Sequence, residues 1–347
     1  MTAPPTKIKT VNLALQGGGS HGAYTWGALE VFLERDDIEI VGISGASAGA
    51  MNAVVFAAGL QTGGREGARR QLQEFWRSIS ADGELPAAER SVVDVWVNAW
   101  TSMFAPYAWL DVASRLSSPY QFNPLNLDPL RKRLLDVVNF DALKRGAGPK
   151  LFIAATNVRT GQGEVFRREI LTADHVMASA CLPTLFQAVT IDGVAYWDGG
   201  FSGNPPLWPL FYETDCRDTI IIEIDPVERA ETPRTADEIA NRVNEITFNA
   251  SLLAELRAAD FVARLIDRGV LQSAEYRREF IHRIGGEGKL EIYSAATKLD
   301  VSWTFLTTLR DLGRAATKKW LAQNFEAIGE RSTLNIASTL RKPGSLR

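Results

Sequence analysis

The segment around Ser47 has the composition of a turn that presents a reactive serine. It reads Gly45-Ala46-Ser47-Ala48-Gly49, with an apolar run before it and an alanine-rich run after it. This pattern predicts a strand, a sharp turn and a helix, with glycines where strand and helix crowd together. The helix would point its positive dipole end at the serine oxygen. Ser47 is therefore a candidate nucleophile, although a turn that only packs a helix on a sheet can have the same composition.

A glycine-rich segment upstream has the character of an anion site. It reads Gly17-Gly18-Gly19-Ser20-His21-Gly22 and stands between a short apolar run at 11–15 and a helical pattern at 23–33. Bare backbone N–H groups at the start of a helix attract anions. The anion would be a phosphate or the oxyanion of an acyl-transfer intermediate.

The same glycines also fit a second pattern. Gly17, Gly19 and Gly22 satisfy the Gly-x-Gly-x-x-Gly fingerprint of dinucleotide-binding proteins. That fingerprint expects an acidic residue at the end of the next strand. The next apolar run ends in Ser44-Gly45-Ala46-Ser47 instead, so the nucleotide alternative is disfavoured.

Asp198 is the best candidate for a catalytic base. A hairpin pattern at 189–196 leads into Trp197-Asp198-Gly199-Gly200, and the two glycines would leave the carboxylate with little steric cover. Asp192 is better explained as a former of the hairpin turn. Asp225, which precedes a proline, is better explained as a residue at a strand end.

Taken in this order, the glycine loop, the Gly-x-Ser-x-Gly turn and the Asp-Gly-Gly motif resemble the patatin-like phospholipase family. The segment at 178–186, Ala-Ser-Ala-Cys-Leu-Pro-Thr-Leu-Phe, is similar to a further segment of that family. The resemblance covers residues 11 to 210, and the ordered set is more specific than any one motif. It implies a three-layer α/β fold with a mostly parallel central sheet flanked by helices.

The resemblance also implies roles for individual residues. Ser47 would be the nucleophile and Asp198 the base of a catalytic dyad, without a histidine between them. The oxyanion would be bound by backbone N–H groups of Gly17, Gly18 and Gly19. The family commonly has arginine or lysine where this chain has His21. Because histidine is mostly neutral near pH 7, His21 is a candidate substrate-binding residue whose identity bears on the headgroup.

An aromatic stripe lies between the candidate nucleophile and base. Trp96, Trp100 and Phe104 are spaced four residues apart, which places them on one face of a helix. Such a stripe suits a lid over a lipid pocket or contact with a bilayer surface, so Trp100 and Phe104 are candidate substrate-binding residues in a lid at 92–122. An ordinary buried helix face is the alternative.

Composition fits a soluble enzyme. The chain has 347 residues, 46% of them hydrophobic, and a formal net charge of -3, so no basic excess indicates nucleic acid. Cys181 and Cys216 provide neither a disulfide framework nor metal-ligand spacing. The first residues are too polar for a secretory signal, and no apolar run is long enough to span a bilayer. We expect a cytoplasmic protein with transient contact to membrane surfaces, and no metal or cofactor.

Alternation of strand and helix patterns predicts one mostly parallel sheet. The expected organisation is an N-terminal extension at 1–10, one catalytic domain at 11–336 and a flexible tail at 337–347. Strands are predicted at 11–15, 38–43, 151–156, 189–196 and 219–224, and long helices at about 235–271 and 303–325.

These features predict a serine acyl hydrolase that cleaves carboxylic esters of lipids through an acyl-enzyme. Two alternatives stay open: an acyltransferase on the same dyad, and a catalytically silent protein that binds lipids or anions. A Ser, Asp, His chain order is used by α/β-hydrolases, which makes His282 a rival base. His175 is expected to cap a helix or lie at the surface.

Overall fold

The computed structural model describes residues 8–80, 118–124, 126, 128–229, 231–272, 276–286, 288–290, 292–293, 297–298 and 300–340. Within these residues, eight strands form one sheet with the order β5-β6-β3-β2-β1-β7-β8, and β4 pairs with β3. The strands are β1 Lys9–Leu15, β2 Ile38–Gly45, β3 Lys150–Asn157, β4 Gly163–Arg167, β5 Val189–Ile191, β6 Val194–Asp198, β7 Asp218–Ile222 and β8 Phe280–Ile284.

Helices precede and follow most of these strands. They are α1 Gly22–Leu33, α2 Ala48–Ile79, α3 Pro119–Phe122, α4 Pro129–Val137, α5 Phe140–Arg145, α6 Ala173–Ser179, α7 Trp208–Glu213, α8 Ala236–Asp267, α9 Trp303–Asn324 and α10 Ile336–Leu340. Short 3₁₀ turns at Gly19–His21 and Gly199–Phe201 lie beside the candidate site.

Apolar clusters on the two faces of the sheet produce three layers. Successive side chains of a strand point to opposite faces. Leu13 and Leu15 of β1 belong to the cluster that includes α1, α2 and α9. Ala14, between them, belongs to the cluster formed with α7 and α8. The three-layer, mostly parallel α/β fold predicted from the sequence is therefore confirmed.

The pairing of β3 determines where the candidate catalytic strands meet. β4 runs antiparallel along β3 from Phe152 to Thr156. β2 pairs with 150–153 of β3, and β6 pairs with 155–157. Because β4 covers one edge of β3 across both ranges, β2 and β6 share the other edge and meet end to end.

Several local predictions are confirmed. The Asp192-Gly193 turn joins β5 and β6, and both residues have positive φ, as a tight hairpin turn requires. The predicted helix at 303–325 is α9. The helix from 235 is α8, and Thr235 forms its capping box with Glu238. None of the helices in the described part of the chain has the length and apolar character needed to cross a bilayer.

The predicted tail begins inside a short helix. Residues 336–340 form α10, and the side chain of Asn335 accepts a hydrogen bond from the Ser338 N–H at its start. Ile336, the last residue of the predicted domain, packs against the same apolar cluster as α8. The flexibility of the tail stays a prediction. Residues 1–7, 81–117 and 341–347 lie outside the described residues.

Candidate active site

Ser47 occupies a strained turn at the carboxyl end of β2. Its φ is 52° and its ψ is -124°, a conformation that residues with a Cβ rarely adopt. The turn is crowded: a Cβ added to Gly49 would lie 2.2 Å from the carbonyl oxygen of Leu15. Glycine at position 49 lets helix α2 begin directly above β1, and the Ser47 side chain stays half-buried at the apex.

The backbone of Ser47 is held by the end of α6. Its N–H donates to the carbonyl oxygen of Ser179 at 3.2 Å and to the Ser179 hydroxyl at 3.0 Å. Ser179 is fully buried. The segment at 178–186, noted in the sequence as a motif without a role, therefore helps to fix the position of the candidate nucleophile.

Asp198 is fully buried at the end of β6, and both its backbone N–H and its carbonyl oxygen are hydrogen-bonded. Its N–H donates to the carbonyl oxygen of Cys181 at 2.8 Å, and its own carbonyl oxygen accepts from the Thr156 hydroxyl at 2.7 Å. Oδ1 accepts from the Gly200 N–H at 2.7 Å. No hydrogen-bond partner of normal geometry is found for Oδ2 among the described residues.

Burial raises the pKa of the Asp198 carboxyl to about 7. The Gly200 N–H, the Ser47 hydroxyl and the charge of Lys298 oppose this rise, because each favours the carboxylate. The Ser47 hydroxyl is thus close enough to interact with the carboxyl. A carboxyl with a pKa near neutrality is a better proton acceptor than an ordinary aspartate.

The glycine loop lies against Ser47. A Cβ added to Gly17 would be 2.6 Å from the Ser47 Cβ, so only glycine fits there. The N–H of Gly17 donates to Asn204 Oδ1 at 2.6 Å. Among the described residues, no acceptor is found for the N–H groups of Gly18 and Gly19. Of the three predicted oxyanion donors, Gly17 is therefore already engaged, because Asn204 reaches it.

Sequence reasoning missed a buried amide network beneath the glycine loop. Gln16 Oε1 accepts from the N–H groups of Ile224 and Asp225 at 2.8 and 2.9 Å. Gln16 Nε2 donates to Asn249 Oδ1 at 3.0 Å and to the Asn204 carbonyl at 3.3 Å. The only sequence signal was a glutamine that ends an apolar strand just before the glycines. The network ties the loop to β7 and α8.

His21 packs among side chains from the later part of the chain, and its expected role in substrate binding stays a prediction. Its side chain is buried, and Nε2 lies 2.8 Å from the hydroxyl of Thr297. The ring packs near Tyr293 and Phe305. Burial, together with the charge of Lys298, lowers its pKa to about 3, so the imidazole is neutral at physiological pH.

Among the described residues, the other two histidines have no hydrogen bond to Ser47 or Asp198. His282 is buried on β8, where Nε2 lies 3.0 Å from Asp218 Oδ1. Asp218 begins β7, whereas Ser47 follows the end of the parallel strand β2, so the His282–Asp218 pair lies toward the opposite end of the sheet. His175 forms the capping box of α6 with Thr172, as expected.

The candidate lid residues Trp100 and Phe104 lie outside the described residues.

Ser47, Asp198 and the glycine loop meet at the carboxyl ends of β1, β2 and β3. Proteins with open α/β sheets bind their ligands outside the carboxyl ends of the strands. The arrangement brings together a candidate nucleophile, a candidate base and N–H groups for which no acceptor is found among the described residues.

The family model described as Patatin-like phospholipase matches residues 13–211, which is more than half of the chain. The chain therefore belongs to the patatin-like phospholipase family, and membership in this family indicates a lipid acyl hydrolase. The matched range ends before β7. Three residues of the amide network, Ile224, Asp225 and Asn249, therefore lie beyond it, as does Lys298.

No curated protein matches the chain. Among solved structures, the chain is similar to VipD from Legionella pneumophila, with 16% identity over 89% of this chain and 67% of that one and a TM-score of 0.36. It is also similar to ExoU of the Pseudomonas aeruginosa type III secretion system, solved in complex with SpcU. There the identity is 15% over 90% of this chain and 53% of that one, with a TM-score of 0.34.

Proposed function

We propose that this protein hydrolyses carboxylic esters of lipids through a Ser47–Asp198 dyad and an acyl-enzyme. The observation that carries the proposal is the buried Asp198 carboxyl, whose pKa is raised to about 7 and whose ionised form the Ser47 hydroxyl favours. A carboxyl in this state can take the serine proton and return it near neutral pH.

In the first half of the reaction, Ser47 Oγ attacks the ester carbonyl carbon while its proton passes to Asp198. The N–H groups of Gly18 and Gly19 are the proposed donors to the oxyanion, because Gly17 already donates to Asn204. Collapse of the tetrahedral intermediate breaks the ester bond. The departing alkoxide takes the proton from Asp198, which leaves Ser47 acylated and Asp198 ionised.

In the second half, water takes the place of the alcohol. Asp198 accepts a proton from the attacking water, and the same loop donors bind the second oxyanion. Ser47 Oγ then leaves, takes back the proton and releases the fatty acid. If an alcohol enters in place of water, the same steps transfer the acyl group to it, so the identity of the acceptor separates hydrolase from acyltransferase.

Covalent labelling tests the proposal. A fluorophosphonate probe should label the native protein, and peptide mapping should place the label on Ser47. Ser47→Ala should abolish labelling and ester hydrolysis, and Asp198→Asn should abolish nearly all of both, because the amide cannot accept the proton. Circular dichroism should show that both variants remain folded.

Two results would contradict the proposal. Label that persists in Ser47→Ala, for example on the buried Ser44, would remove Ser47 as nucleophile. Failure of the native protein to react with probe or ester, at any pH from 5 to 9, would favour a silent lipid-binding protein. If the native protein does react, a panel of p-nitrophenyl esters and phospholipids of graded chain length, with and without a primary alcohol, defines the acyl donor and acceptor.

A further inference from the structure

The segment Thr297–Lys298 crosses the glycine loop from outside the family-matched residues. The Thr297 carbonyl accepts from the Ser20 hydroxyl at 3.2 Å, and its hydroxyl lies 2.8 Å from His21 Nε2. The Lys298 carbonyl oxygen would lie 2.4 Å from a Cβ on Gly19, whose φ is 59°. Three successive residues of the loop are therefore in contact with two residues of this segment.

The Lys298 side chain points a positive charge into the same region. Its ammonium forms an ion pair with Asp225, and both side chains are largely buried. Asp225 is fixed in turn, because its N–H donates to Gln16 and its carbonyl accepts from Asn249. The ammonium is thus held in one place by an acidic partner that belongs to the network beneath the glycine loop.

We propose that Thr297 and Lys298 form a positioning clamp of the active site, in which Thr297 holds the glycine loop and Lys298, held by Asp225, fixes a positive charge beside that loop. The inference rests on the proposed function, since it takes Asp198 to be the catalytic base. Lys298 does not touch the reacting atoms, so it acts through Asp198 and through the loop.

The charges around Asp198 support this role. Lys298 is the only charged side chain found among the described residues to act on the pKa of Asp198, and it lowers that pKa against the effect of burial. The remaining neighbours are the Ser47 hydroxyl, the Gly200 N–H and the thiol of Cys181, whose own pKa is raised to about 12. None of these supplies a positive charge.

The surroundings of Lys298 are charged but balanced. A small pocket beside the glycine loop is lined by the Asp225–Lys298 and Arg229–Glu245 pairs and by the neutral His21. Removing the Lys298 charge leaves Asp225 uncompensated, which adds to the effect on Asp198. Both consequences have the same sign: the carboxylate form of Asp198 becomes less favourable.

The test compares Lys298→Gln, which removes the charge, with Lys298→Arg, which keeps it. Fluorophosphonate inactivation rates are measured from pH 5 to 9.5, so that no substrate headgroup enters the comparison. We expect Lys298→Gln to raise the midpoint of the pH profile by roughly half a unit or more, which makes inactivation about threefold slower on its acid side. Its rate at the high-pH plateau should stay near the native rate.

Lys298→Arg should restore the native midpoint, and Lys289→Met, at an exposed lysine, should match the native protein throughout. If removal of one charge prevents folding, the double variant Asp225→Asn with Lys298→Gln removes the ion pair as a unit. Its midpoint should move in the same direction by a smaller amount.

An unchanged midpoint in the folded charge-removing variant would overturn the inference, and so would a lower plateau at an unchanged midpoint, which indicates a structural role alone. Both outcomes leave the proposed function standing, because the native protein is still labelled at Ser47. A native protein that fails to react with the probe would instead remove the proposed function itself.

Discussion

The backbone amides of Ser47 and Asp198 are held by carbonyl groups that lie two residues apart. The carbonyl oxygen of Ser179 accepts from Ser47 at 3.2 Å, and that of Cys181 accepts from Asp198 at 2.8 Å. The strands β2 and β6, which lead to Ser47 and Asp198, also meet end to end along β3. The separation of Ser47 and Asp198 is therefore fixed by one short segment and one strand edge.

Ser179→Ala should impair catalysis more than stability. The substitution keeps the backbone carbonyl but removes the hydroxyl that also accepts from the Ser47 N–H. Loss of one neutral hydrogen bond costs about 1 kcal/mol of unfolding free energy. We expect kcat to fall several-fold while KM changes little, because the turn loses part of its positioning. Ser78→Ala, which removes a hydroxyl bonded to the Phe75 carbonyl at 2.7 Å, is the matched control; equal kcat in the two variants would contradict this role.

Strain at Ser47 leads to a stability prediction. At its φ of 52° any residue with a Cβ is unfavourable, whereas glycine is not. Ser47→Gly should therefore unfold with a free energy about 1 kcal/mol higher than Ser47→Ala, despite the greater flexibility of glycine in the unfolded chain. Both variants lack the nucleophile, so activity does not complicate the comparison. Urea unfolding measures the difference, and a less stable glycine variant would indicate that the turn is relaxed.

The fold and the turns at Ser47 and Asp198 were predictable because local pattern and chemistry coincide there. Gly45 and Gly49 flank Ser47, and two glycines follow Asp198, so the sequence around each residue predicts a turn. The parallel sheet followed from alternating strand and helix patterns. β8 was not among the predicted strands, although its alternating pattern at 280–284 is strand-like and Gly285-Gly286 follows it.

Long-range partners were not predictable in the same way. Gln16 meets Asn249, and Gly19 meets Lys298, only because the chain returns to the carboxyl edge of the sheet after β7. His21 was assigned to substrate binding because the family it resembles commonly has arginine or lysine there, and the sequence did not indicate that rings from 293 and 305 pack against it. Residue spacing in the sequence does not predict contacts of this kind, because they form between residues that are far apart in the chain.

The pH dependence of activity should follow Asp198. Its pKa is about 7 in the folded protein, and the carboxylate form is required as base, so kcat/KM for a neutral ester should rise with pH to a midpoint near 7. A midpoint near 4, typical of an exposed aspartate, would contradict the assignment. A neutral ester is needed so that the substrate does not titrate in the same range.

The same pKa has a consequence for stability with a defined sign. The Asp198 carboxyl has its ordinary pKa of 3.8 in the unfolded chain, but in the folded protein its pKa is about 7. The unfolded state therefore releases its proton first, and the contribution of Asp198 to the unfolding free energy falls as the pH rises between these values. Asp198→Asn removes that fall, so its stability relative to the native protein should increase from pH 4 to 7 and then level off.

Activity should not require a histidine. The chain has three, at 21, 175 and 282. His282→Gln should lose stability, because it breaks the buried contact with Asp218, yet each folded molecule should retain most of its activity. His175→Ala should behave likewise through loss of the α6 capping box. Activity is normalised to the folded fraction from the melting curve. A folded His282→Gln protein as inactive as Ser47→Ala would show that the dyad is wrong.

The aromatic stripe stays a prediction, since Trp100 and Phe104 lie outside the described residues. Replacing both by serine should weaken action on phospholipid vesicles more than on a short soluble ester, because an aromatic face contacts the lipid interface whereas a soluble ester needs no docking. The matched control replaces Trp208 and Tyr212 by serine; these aromatic side chains of α7 are 37% and 81% exposed. Equal losses on both substrates, with a melting transition that is no longer cooperative, would show that the stripe belongs to the core. A vesicle defect confined to the α7 variant would move the lipid-docking surface from the stripe to α7.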